Sequence, residues 1–485
     1  MKKKMIGFLL ICCALLHPWV SAFAADPDPD VFEINIGILP YDFKQLTSSE
    51  TQDIHKIDFS VDGGVYRKGK MHIRGATSKY VGLSTSAKRV PFALNVDRDL
   101  SLTVGLGNSS VKFINSFTVY RLYAEYLALE LFQSRGIPTP AHAFSLVRFN
   151  NVDFGLYLAV EELNAEFANK NFTEDDVYLY KSRGNEKQMF RFESGWFGVL
   201  TSDTDAGAAR LQALIAALDG GGNYDELIDV DEFLRFFACT AVLGADSSIL
   251  TELNNFFLID ANGKFQLAPW DCSEAFFCNF EGNGIDHYHY MASDAPSLLF
   301  ELLMRDPANK EKYHAYIREI NDTFLSPANV TAMLTALAEK TAPYLARDCT
   351  IYCRTEQPEP GAPAENGYSF AALSETLLRI HENLNAQLNG ETDRFYENPE
   401  RDRLNEAVEN DGLDAFFMQY SPTVDPSVAE RICKAYPAWR LQADFRREPE
   451  QARAYLIAGA AFAGGAAVLA VSFIIPRLRR RGRRE

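Results

Sequence analysis

The sequence is short of basic residues. Its 485 residues include 48 Lys and Arg against 65 Asp and Glu, a formal net charge of −17 at pH 7. Binding to DNA or RNA depends on Lys and Arg side chains that neutralise phosphates. The composition therefore argues against a nucleic-acid partner. A basic protein partner suits the acidic surface better, although such a surface also serves solubility alone.

Several common enzyme motifs are absent or incomplete. No His-Glu-x-x-His and no Gly-x-Ser-x-Gly occurs, which excludes the commonest metalloprotease and hydrolase signatures. Residues 64–70 match most of a phosphate-binding P-loop, but Met71 follows where Ser or Thr would bind magnesium. Residues 105–110 lack the third glycine of a dinucleotide-binding loop. We interpret residues 64–70 as a hairpin turn and reject the dinucleotide motif.

The N-terminal segment has the three-part plan of an export signal. Three lysines at positions 2–4 precede an apolar stretch at 5–16, and Ala22-Phe23-Ala24 supplies small residues for cleavage. We expect a signal peptide at 1–24. An uncleaved membrane anchor is the alternative, but the apolar stretch is short for a span.

The C-terminal end predicts a membrane anchor. Residues 455–475 form an uncharged run of 21 residues, about the length that spans a bilayer, and six arginines follow in the tail 476–485. Basic segments remain on the cytoplasmic side. We expect a single-pass protein of the cell membrane with an extracellular domain and a cytoplasmic C-terminus; a buried core helix is the alternative. Without the signal and the tail, the net charge is −25.

Cysteine usage fits an exported domain. Two of the eight cysteines lie in the signal segment, and six remain. An oxidising compartment permits disulfides, and Cys272/Cys278 and Cys349/Cys353 are close in sequence. We expect at least one disulfide, although six cysteines allow 15 pairings. A zinc site is disfavoured because neither pair has the usual two-residue spacing.

The pattern of apolar residues predicts an α+β fold. Alternation at 31–38 and 70–74 is typical of strands, as are the segments 142–149 and 154–162, which an Asn/Asp-rich turn separates. Residues 119–135 have helical spacing and end at Gly136. From residue 211 onward helices dominate. A β-rich N-terminal lobe is therefore followed by a helical C-terminal lobe, without regular βαβ alternation or repeats.

The domain plan has one internal boundary. Residues 356–367 are rich in Pro, Gly and Glu and have no apolar period, which is typical of a linker. We expect the main domain at 26–355 and a helical extension with a charged stalk at 368–453.

The stretch from 243 to 271 has the order of polar residues that phosphoryl transfer requires. Asp246 is followed eight or nine residues later by Asn254 and Asn255, and an apolar hairpin then ends at Asp271. Protein kinases place a catalytic aspartate, an asparagine and a metal-binding aspartate in this order. Carboxylate and amide oxygens suit magnesium. The alternative is purely structural, with Asp246 capping a helix and Asp271 ending a hairpin.

These residues resemble the signature of the CotH (spore coat protein H) family of atypical kinases. In that family Asp-Ser precedes an Asn-aromatic strand and a Pro-Trp-Asp turn. Earlier segments are similar in the same order and extend the resemblance over roughly residues 31–316. The matching positions are Asp246-Ser247, Asn254/Asn255, 256–259, Pro269-Trp270-Asp271, Arg74-Gly75, Lys88, Pro91-Phe92 and the hairpin 150–161.

The resemblance implies an atypical protein-kinase-like fold and a role for each matching residue. Asp246 is implied as the catalytic aspartate with Asn254 or Asn255 beside it, and Asp271 as the ligand of Mg²⁺ or Mn²⁺. Asn255 and Glu274 are further candidate metal ligands. The candidates for holding ATP are Arg74, Lys88, Glu161 and Lys181.

The sequence departs from the family pattern at two places. Ala76 replaces an asparagine, and Ser273-Glu274 follows where members often carry a second aspartate. Two functions are therefore retained. The first is a kinase that phosphorylates Ser or Thr of an exported protein, of which a basic, Ser-rich protein is one candidate. The alternative is a catalytically degenerate adhesion or binding module at the cell surface.

Overall fold

The fold is seen in a computed structural model. It describes residues 31–48, 54–75, 79, 82–83, 88–96, 106–173, 177–182, 197–200, 204–220, 222–245, 248–250, 254–276, 284–286, 298–353, 367–395, 421–422, 425 and 427–447. The predicted signal peptide, the predicted span at 455–475 and the tail lie outside these residues.

The first lobe is a closed barrel of seven strands. Its strand order is β1-β2-β3-β4-β5-β7-β6, and the barrel closes where β1 pairs in parallel with β6; its other pairings are antiparallel. The strands are β1 (Phe32–Gly37), β2 (His55–Val61), β3 (Arg67–Ile73), β4 (Phe92–Asn95), β5 (Ser110–Ile114), β6 (His142–Phe149) and β7 (Val152–Glu161).

Alternation along the strands determines which side chains fill the barrel. On β3, Met71 and Ile73 belong to the apolar core, together with Phe92 of β4 and Phe113 of β5, whose rings stack 4.6 Å apart. The residues between them face outward, as the two-residue period of a strand requires. A short helix, α1 (Pro40–Leu46), adds Phe43 to the same core.

One helix separates the barrel from the rest of the molecule. α2 (Val119–Ser134) begins at Thr118, whose hydroxyl accepts a hydrogen bond from the backbone N–H of Arg121. Its apolar side chains share a core with Phe144 and Leu158 of the barrel and with the second lobe. This placement leaves polar residues of α2 between the two lobes.

The second lobe combines a four-stranded antiparallel sheet with helices. The sheet has the order β11-β10-β8-β9. Its strands are β8 (Tyr178–Ser182), β9 (Phe197–Val199), β10 (Phe256–Ala261) and β11 (Lys264–Pro269). The helices around it are α3 (Ala165–Asn171), α4 (Thr204–Gly220), α5 (Tyr224–Leu227), α6 (Val230–Leu243), α7 (Leu298–Met304), α8 (Pro307–Thr323) and α9 (Pro327–Leu345).

Two further helices pack onto different lobes. α10 (Gly367–Leu388) begins at the end of the predicted linker and places Leu373, Leu377 and Leu384 in the core of the second lobe. α11 (Val428–Arg447) lies on the barrel instead, after a two-stranded pairing of β12 (Tyr352–Cys353) with β13 (Ser421–Pro422).

The contact between α11 and the barrel depends on a missing side chain. A methyl group at Gly37 would lie 1.6 Å from Cη2 of Trp439, so only glycine leaves room for the buried indole. The indole N–H donates to the hydroxyl of Tyr66 at 3.1 Å, and Arg440 pairs with Asp58 at 2.9 Å. Both termini of the described chain therefore meet on one face of the barrel.

The sequence predictions for the fold have mixed outcomes. The α+β composition, the helix near 119–135 and the hairpin of β6 and β7 are confirmed. The turn at 62–66 joins β2 to β3, so the incomplete P-loop is part of a hairpin as predicted. The closed barrel was not foreseen. Within the described part of the chain, no helix is long and apolar enough to cross a membrane.

Neither of the two close cysteine pairs forms a disulfide, while the prediction of at least one disulfide stays a prediction. Cys272 and Cys349 carry free thiols, as do Cys239 and Cys433. Cys272 is buried beneath the turn that follows β11. The thiol of Cys349 points instead to the carbonyl of Arg347 at 3.6 Å.

Candidate functional site

The end of the β10–β11 hairpin carries two residues in the left-handed region. Asn255 has φ of 58° just before β10, and Asp271 has φ of 52° just after β11. The backbone N–H of Trp270 donates to the carbonyl of Asn255 at 3.1 Å, which brings the two turns together. Asn and Asp tolerate this conformation better than most residues, and backbone strain of this kind concentrates at functional sites.

Asp271 is a carboxylate kept ionised by its neighbours. Its Oδ1 accepts a 2.8 Å hydrogen bond from Ser273, and its Oδ2 lies 3.9 Å from the ammonium of Lys112. Burial raises the pKa of Asp271, but Lys112 and Ser273 outweigh that effect, so the pKa lies below its usual value. The side chain is still 40% exposed. An exposed, ionised oxygen is therefore available to a ligand.

Two lysines from different lobes meet over one indole ring. Lys112 of β5 places Nζ 4.7 Å from the ring centre of Trp270, and Lys181 of β8 places Nζ 4.9 Å from it. Burial lowers the pKa of Lys181, Glu162 raises it, and Arg74 and Lys112 lower it further; the net shift is downward. The two ammonium groups and the indole form a cationic wall beside Asp271.

A buried glutamate of α2 lies behind this wall. Glu125 is 1% exposed, and its Oε2 has no hydrogen-bond partner among the described residues. Burial and then the charge of Asp271 raise the pKa of Glu125 to about 8, against the opposing effects of Lys112 and Arg121. Arg121 in turn donates to the carbonyl of Ser273 at 2.9 Å. α2 thus supports the Asp271 turn directly.

Arg74 joins the same region through Glu162. The two side chains form a salt bridge, and Nε of Arg74 is buried without a partner in the described chain. Both groups act electrostatically on Lys181, whose pKa Glu162 raises and Arg74 lowers. We call Asp271, Lys112, Lys181, Arg74 and Glu125 the Asp271 centre.

The structure does not bring Glu161 to this centre. Its carboxylate is completely buried; Oε2 accepts hydrogen bonds from Lys170 at 2.5 Å and from the backbone N–H of Ala141 at 3.0 Å. Oε1 accepts another from Asn108 at 3.0 Å. These contacts give Glu161 a structural role, while the next residue, Glu162, faces Arg74.

Lys88 is also placed apart. It has φ of 49°, and its ammonium donates to the carbonyl of Leu83 at 2.5 Å. The described contacts do not join it to Asp271. The next residue, Arg89, has no exposed surface, pairs with Asp348 at 2.9 Å and lies 4.4 Å from the ring centre of Tyr157.

The remaining predicted residues are located as follows. Asn254 donates its backbone N–H to the carbonyl of Ser248 at 3.3 Å, beside Asn255. Glu274 is half-buried in the turn after Asp271. Asp246 lies outside the described residues. The predicted role of each residue stays a prediction.

Sequence reasoning missed Lys112 and Glu125. Lys112 sits in a short strand with apolar neighbours, and Glu125 occupies a buried position of an otherwise apolar helix. A charge at a core-facing helical position is costly without a function or a partner. The unfavourable position of Glu125 in an apolar helix was therefore the feature of the sequence that could have identified it as a functional candidate.

The donor set suits a hard cation or a phosphate rather than a soft metal. The described residues contain no group of three or more His, Cys, Asp and Glu that could hold a metal ion by themselves. Asp271 supplies an ionised oxygen, the side-chain amides of Asn254 and Asn255 are close in sequence to its hairpin, and two lysines flank it. Magnesium characteristically takes one or two carboxylates and completes its shell with water and phosphate oxygens.

Comparison with known proteins gives two results and one absence. A solved structure, the Helicobacter pylori proinflammatory kinase CtkA, is 13% identical, covers 62% of this chain and 91% of its own, and has a TM-score of 0.25. None of the curated proteins compared with the sequence matches it. The sequence model described as CotH kinase protein matches residues 71–389, which is more than half of the chain. This protein therefore belongs to the CotH kinase family.

Proposed function

We propose that this member of the CotH kinase family transfers the γ-phosphoryl group of ATP to Ser or Thr of an exported or surface protein. The observation that carries the proposal is Asp271, an exposed and ionised carboxylate at the end of a strand hairpin, flanked by the lysines of two lobes. Protein kinases bind magnesium with an aspartate that follows the catalytic aspartate and the asparagine in the sequence.

Asp271 and the amide of Asn254 or Asn255 would hold Mg²⁺ or Mn²⁺, and Glu274 is a further candidate ligand. The bound cation would neutralise charge on the triphosphate. The low pKa of Asp271 supports this role, because a carboxylate must be ionised to bind a divalent cation.

The cationic side chains would bind the nucleotide. Lys112 and Lys181 lie on opposite lobes beside Asp271, and Arg74 adds a guanidinium nearby. In kinases, a strand lysine contacts the phosphates and pairs with a glutamate of the next helix. Lys112 on β5 and Glu125 on the following helix α2 have the same relation in the chain, and Lys112 acts to lower the pKa of Glu125.

The phosphoryl transfer needs an aspartate that orients the acceptor. The Ser or Thr oxygen of the substrate bonds to the γ-phosphorus, and the bond from that phosphorus to the bridging oxygen of ADP breaks. Asp246 is proposed to accept the hydroxyl proton. This assignment depends on the order of Asp246, Asn254 or Asn255, and Asp271 in the chain.

The proposed location follows from the ends of the sequence. We propose export through the signal at 1–24, anchoring through residues 455–475 and a catalytic domain outside the cytoplasm. The acidic domain then meets other exported proteins, among which a basic, Ser-rich substrate is electrostatically favourable.

Calorimetric titration of the full-length, detergent-solubilised protein with ATP and Mg²⁺ or Mn²⁺ tests the proposal. Asp271→Asn should abolish metal-dependent nucleotide binding, because an amide does not neutralise the cation. Asp246→Asn should retain much of the binding and lower turnover by about 10² or more, the scale of a lost positioned base. Asp225→Asn, in an exposed helix of the same lobe, is the matched control and should change neither.

Phosphate transfer is measured with labelled ATP against the protein itself and basic Ser-rich peptides. Wild-type protein that neither binds nucleotide nor transfers phosphate with any divalent metal would contradict the kinase proposal. The alternative of a catalytically degenerate surface-binding module would then remain.

A further inference from the structure

A row of polar side chains follows the outer face of β3 into the Asp271 centre. Because Met71 and Ile73 fill the barrel, the alternate residues Lys70 and His72 face outward, and Arg74 continues the series. Lys70 is exposed and His72 is half-buried. We call Lys56, Lys70, His72 and Arg74 the β3 ridge.

Two lysines of the ridge face each other directly. Lys56 of β2 is in register with Lys70 of β3, and both are exposed. Like charges directly opposite on neighbouring strands are destabilising. One register step away, Lys68 faces Asp58 and pairs with it at 2.8 Å. Within the described chain, neither Lys56 nor Lys70 has such a carboxylate partner.

The other end of the ridge reaches the proposed nucleotide site. His72 is in register with Ala93 of β4, and Ala93 with Lys112 of β5, so His72 and Lys112 lie in one outward-facing row. His72 is electrostatically coupled to Arg74 and Glu162. Nδ1 of His72 and Nε of Arg74 are buried and lack hydrogen-bond partners in the part of the chain that the structure describes.

Part of the ridge lies away from the Asp271 centre. Alternate residues of a strand are about 6.6 Å apart, so Lys70 is roughly 13 Å along the strand from Arg74. Arg74 acts electrostatically on Lys181, whereas Lys70 lies at the middle of β3 and Lys56 faces it from β2. Arg74 is already paired with Glu162, and burial and then Arg74 lower the pKa of His72, so the unpaired cations of the ridge among the described residues are Lys56 and Lys70. Two such lysines side by side in a protein of net charge −17 favour an anionic ligand.

We propose that the β3 ridge docks an anionic, extended segment of the protein substrate, with carboxylate or phosphate groups at alternate residues. An extended segment that runs along β3 presents alternate side chains at the spacing of the ridge. The segment is an acidic stretch within the otherwise basic, Ser-rich substrate proposed above, and it positions a nearby Ser or Thr at the mouth of the site. This inference rests on the proposed kinase function, since it identifies part of the substrate.

Fluorescence anisotropy with labelled peptides tests the docking independently of catalysis. The full-length protein is titrated with a peptide that has phosphoserine or Glu at alternate positions and with a Gln-substituted peptide of the same length. Wild type should prefer the anionic peptide, and this preference should weaken as salt is added. Lys56→Gln/Lys70→Gln should lower the affinity for it about 5- to 10-fold, as expected for two partly exposed ion pairs.

The matched control is Lys44→Gln/Lys312→Gln, which removes two exposed lysines elsewhere. It should leave the affinity within about twofold of wild type. Equal affinity for anionic and neutral peptides, or an undiminished affinity in the ridge variant, would overturn the inference. Tighter ridge-dependent binding of a DNA oligonucleotide or of phosphatidylglycerol vesicles would also overturn it.

The kinase assay separates this inference from the proposed function. A protein that binds the anionic peptide through the ridge but never transfers phosphate retains the docking surface and loses the kinase function. In an active enzyme, the ridge variant should raise KM for an acidic substrate and leave kcat on a neutral peptide unchanged. A change in kcat on the neutral peptide would contradict a docking role.

Discussion

Two charged regions of the molecule are built in opposite ways. At Arg89, the guanidinium and Asp348 are both completely buried, 2.9 Å apart, and Thr350 and the carbonyl of Leu156 accept further hydrogen bonds. In the Asp271 centre, the closest ammonium is 3.9 Å away, the carboxylate is 40% exposed, and Glu125 keeps an oxygen without a partner among the described residues.

The two regions differ because one makes its contacts within the protein and the other leaves contacts for a ligand. A buried ion pair is tolerated when most of its hydrogen bonds form within the protein, as at Arg89, where both terminal nitrogens donate and only Nε lacks a partner among the described residues. Groups that bind a ligand leave part of their hydrogen-bonding and charge-pairing capacity unused within the protein, as in the Asp271 centre. A close and completely buried ion pair therefore indicates structure, and a long, partly exposed one indicates function.

Substitution at Arg89 should have the largest effect. Arg89→Met leaves Asp348 buried without its cation, which should lower the free energy of unfolding by about 3–5 kcal/mol. Denaturant unfolding of the full-length protein measures the loss. Arg305→Met, at an exposed pair with Glu301, is the control and should cost less than about 1 kcal/mol. An equally small loss of unfolding free energy in both variants would contradict the structural role of the Arg89–Asp348 pair.

Removing Glu125 should have the next largest effect, through pH. In metal-free protein, the pKa of Glu125 is raised to about 8 from its usual 4.5. The folded state then holds a proton that the unfolded state releases, so the contribution of Glu125 to stability is most favourable below pH 4.5 and becomes less favourable until about pH 8. At about 1.36 kcal/mol per pKa unit the decline amounts to a few kcal/mol. Glu125→Gln should flatten this part of the profile, measured by unfolding in chelator at pH 5 to 9; an unchanged slope would contradict it.

Two lysine substitutions should have the smallest effects. One should change only the stability of the protein, and the other should change mainly its nucleotide affinity. Lys170→Met leaves the buried Glu161 with its other two donors and should cost about 1–2 kcal/mol of stability without changing nucleotide affinity. Lys112→Met should weaken nucleotide binding about tenfold or more and change stability little, since its ion pair is long. Calorimetry and denaturant unfolding are applied to both. If Lys170→Met weakened nucleotide binding and Lys112→Met lowered stability, the structural and nucleotide-binding roles of the two lysines would be reversed.

Local signals in the sequence were sufficient for the hairpin that ends at Asp271. The apolar strands, the Asn-Gly turn between them and the Pro-Trp-Asp sequence are all contained in a short stretch. The same holds for the helix near 119–135, which has its own cap and stop signal. Such features depend on neighbours along the chain and are accessible without a structure.

Pairing between distant segments decided the rest. Lys112 meets Trp270 and Asp271 across more than 150 residues, and the barrel closes through the parallel contact of β1 with β6. Choosing between Glu161 and Glu162 requires knowing which way each side chain faces, and a shift of one residue reverses that choice. Lys88 and Arg89 present the same ambiguity. Neighbouring residues in the sequence do not reveal these long-range pairings or the directions of these side chains.

The cavity that Gly37 leaves for Trp439 has a consequence for the time course of folding. The two residues are about 400 positions apart, so the barrel face beside β1 stays hydrated until residues 428–447 have emerged during synthesis. At roughly 5–20 residues per second, that interval lasts at least about 20 s. Contacts of such high sequence separation form late because the loop that they close is long. α11 thus acts as a completion step, and a nascent chain without it exposes Tyr66 and the surrounding apolar surface to chaperones.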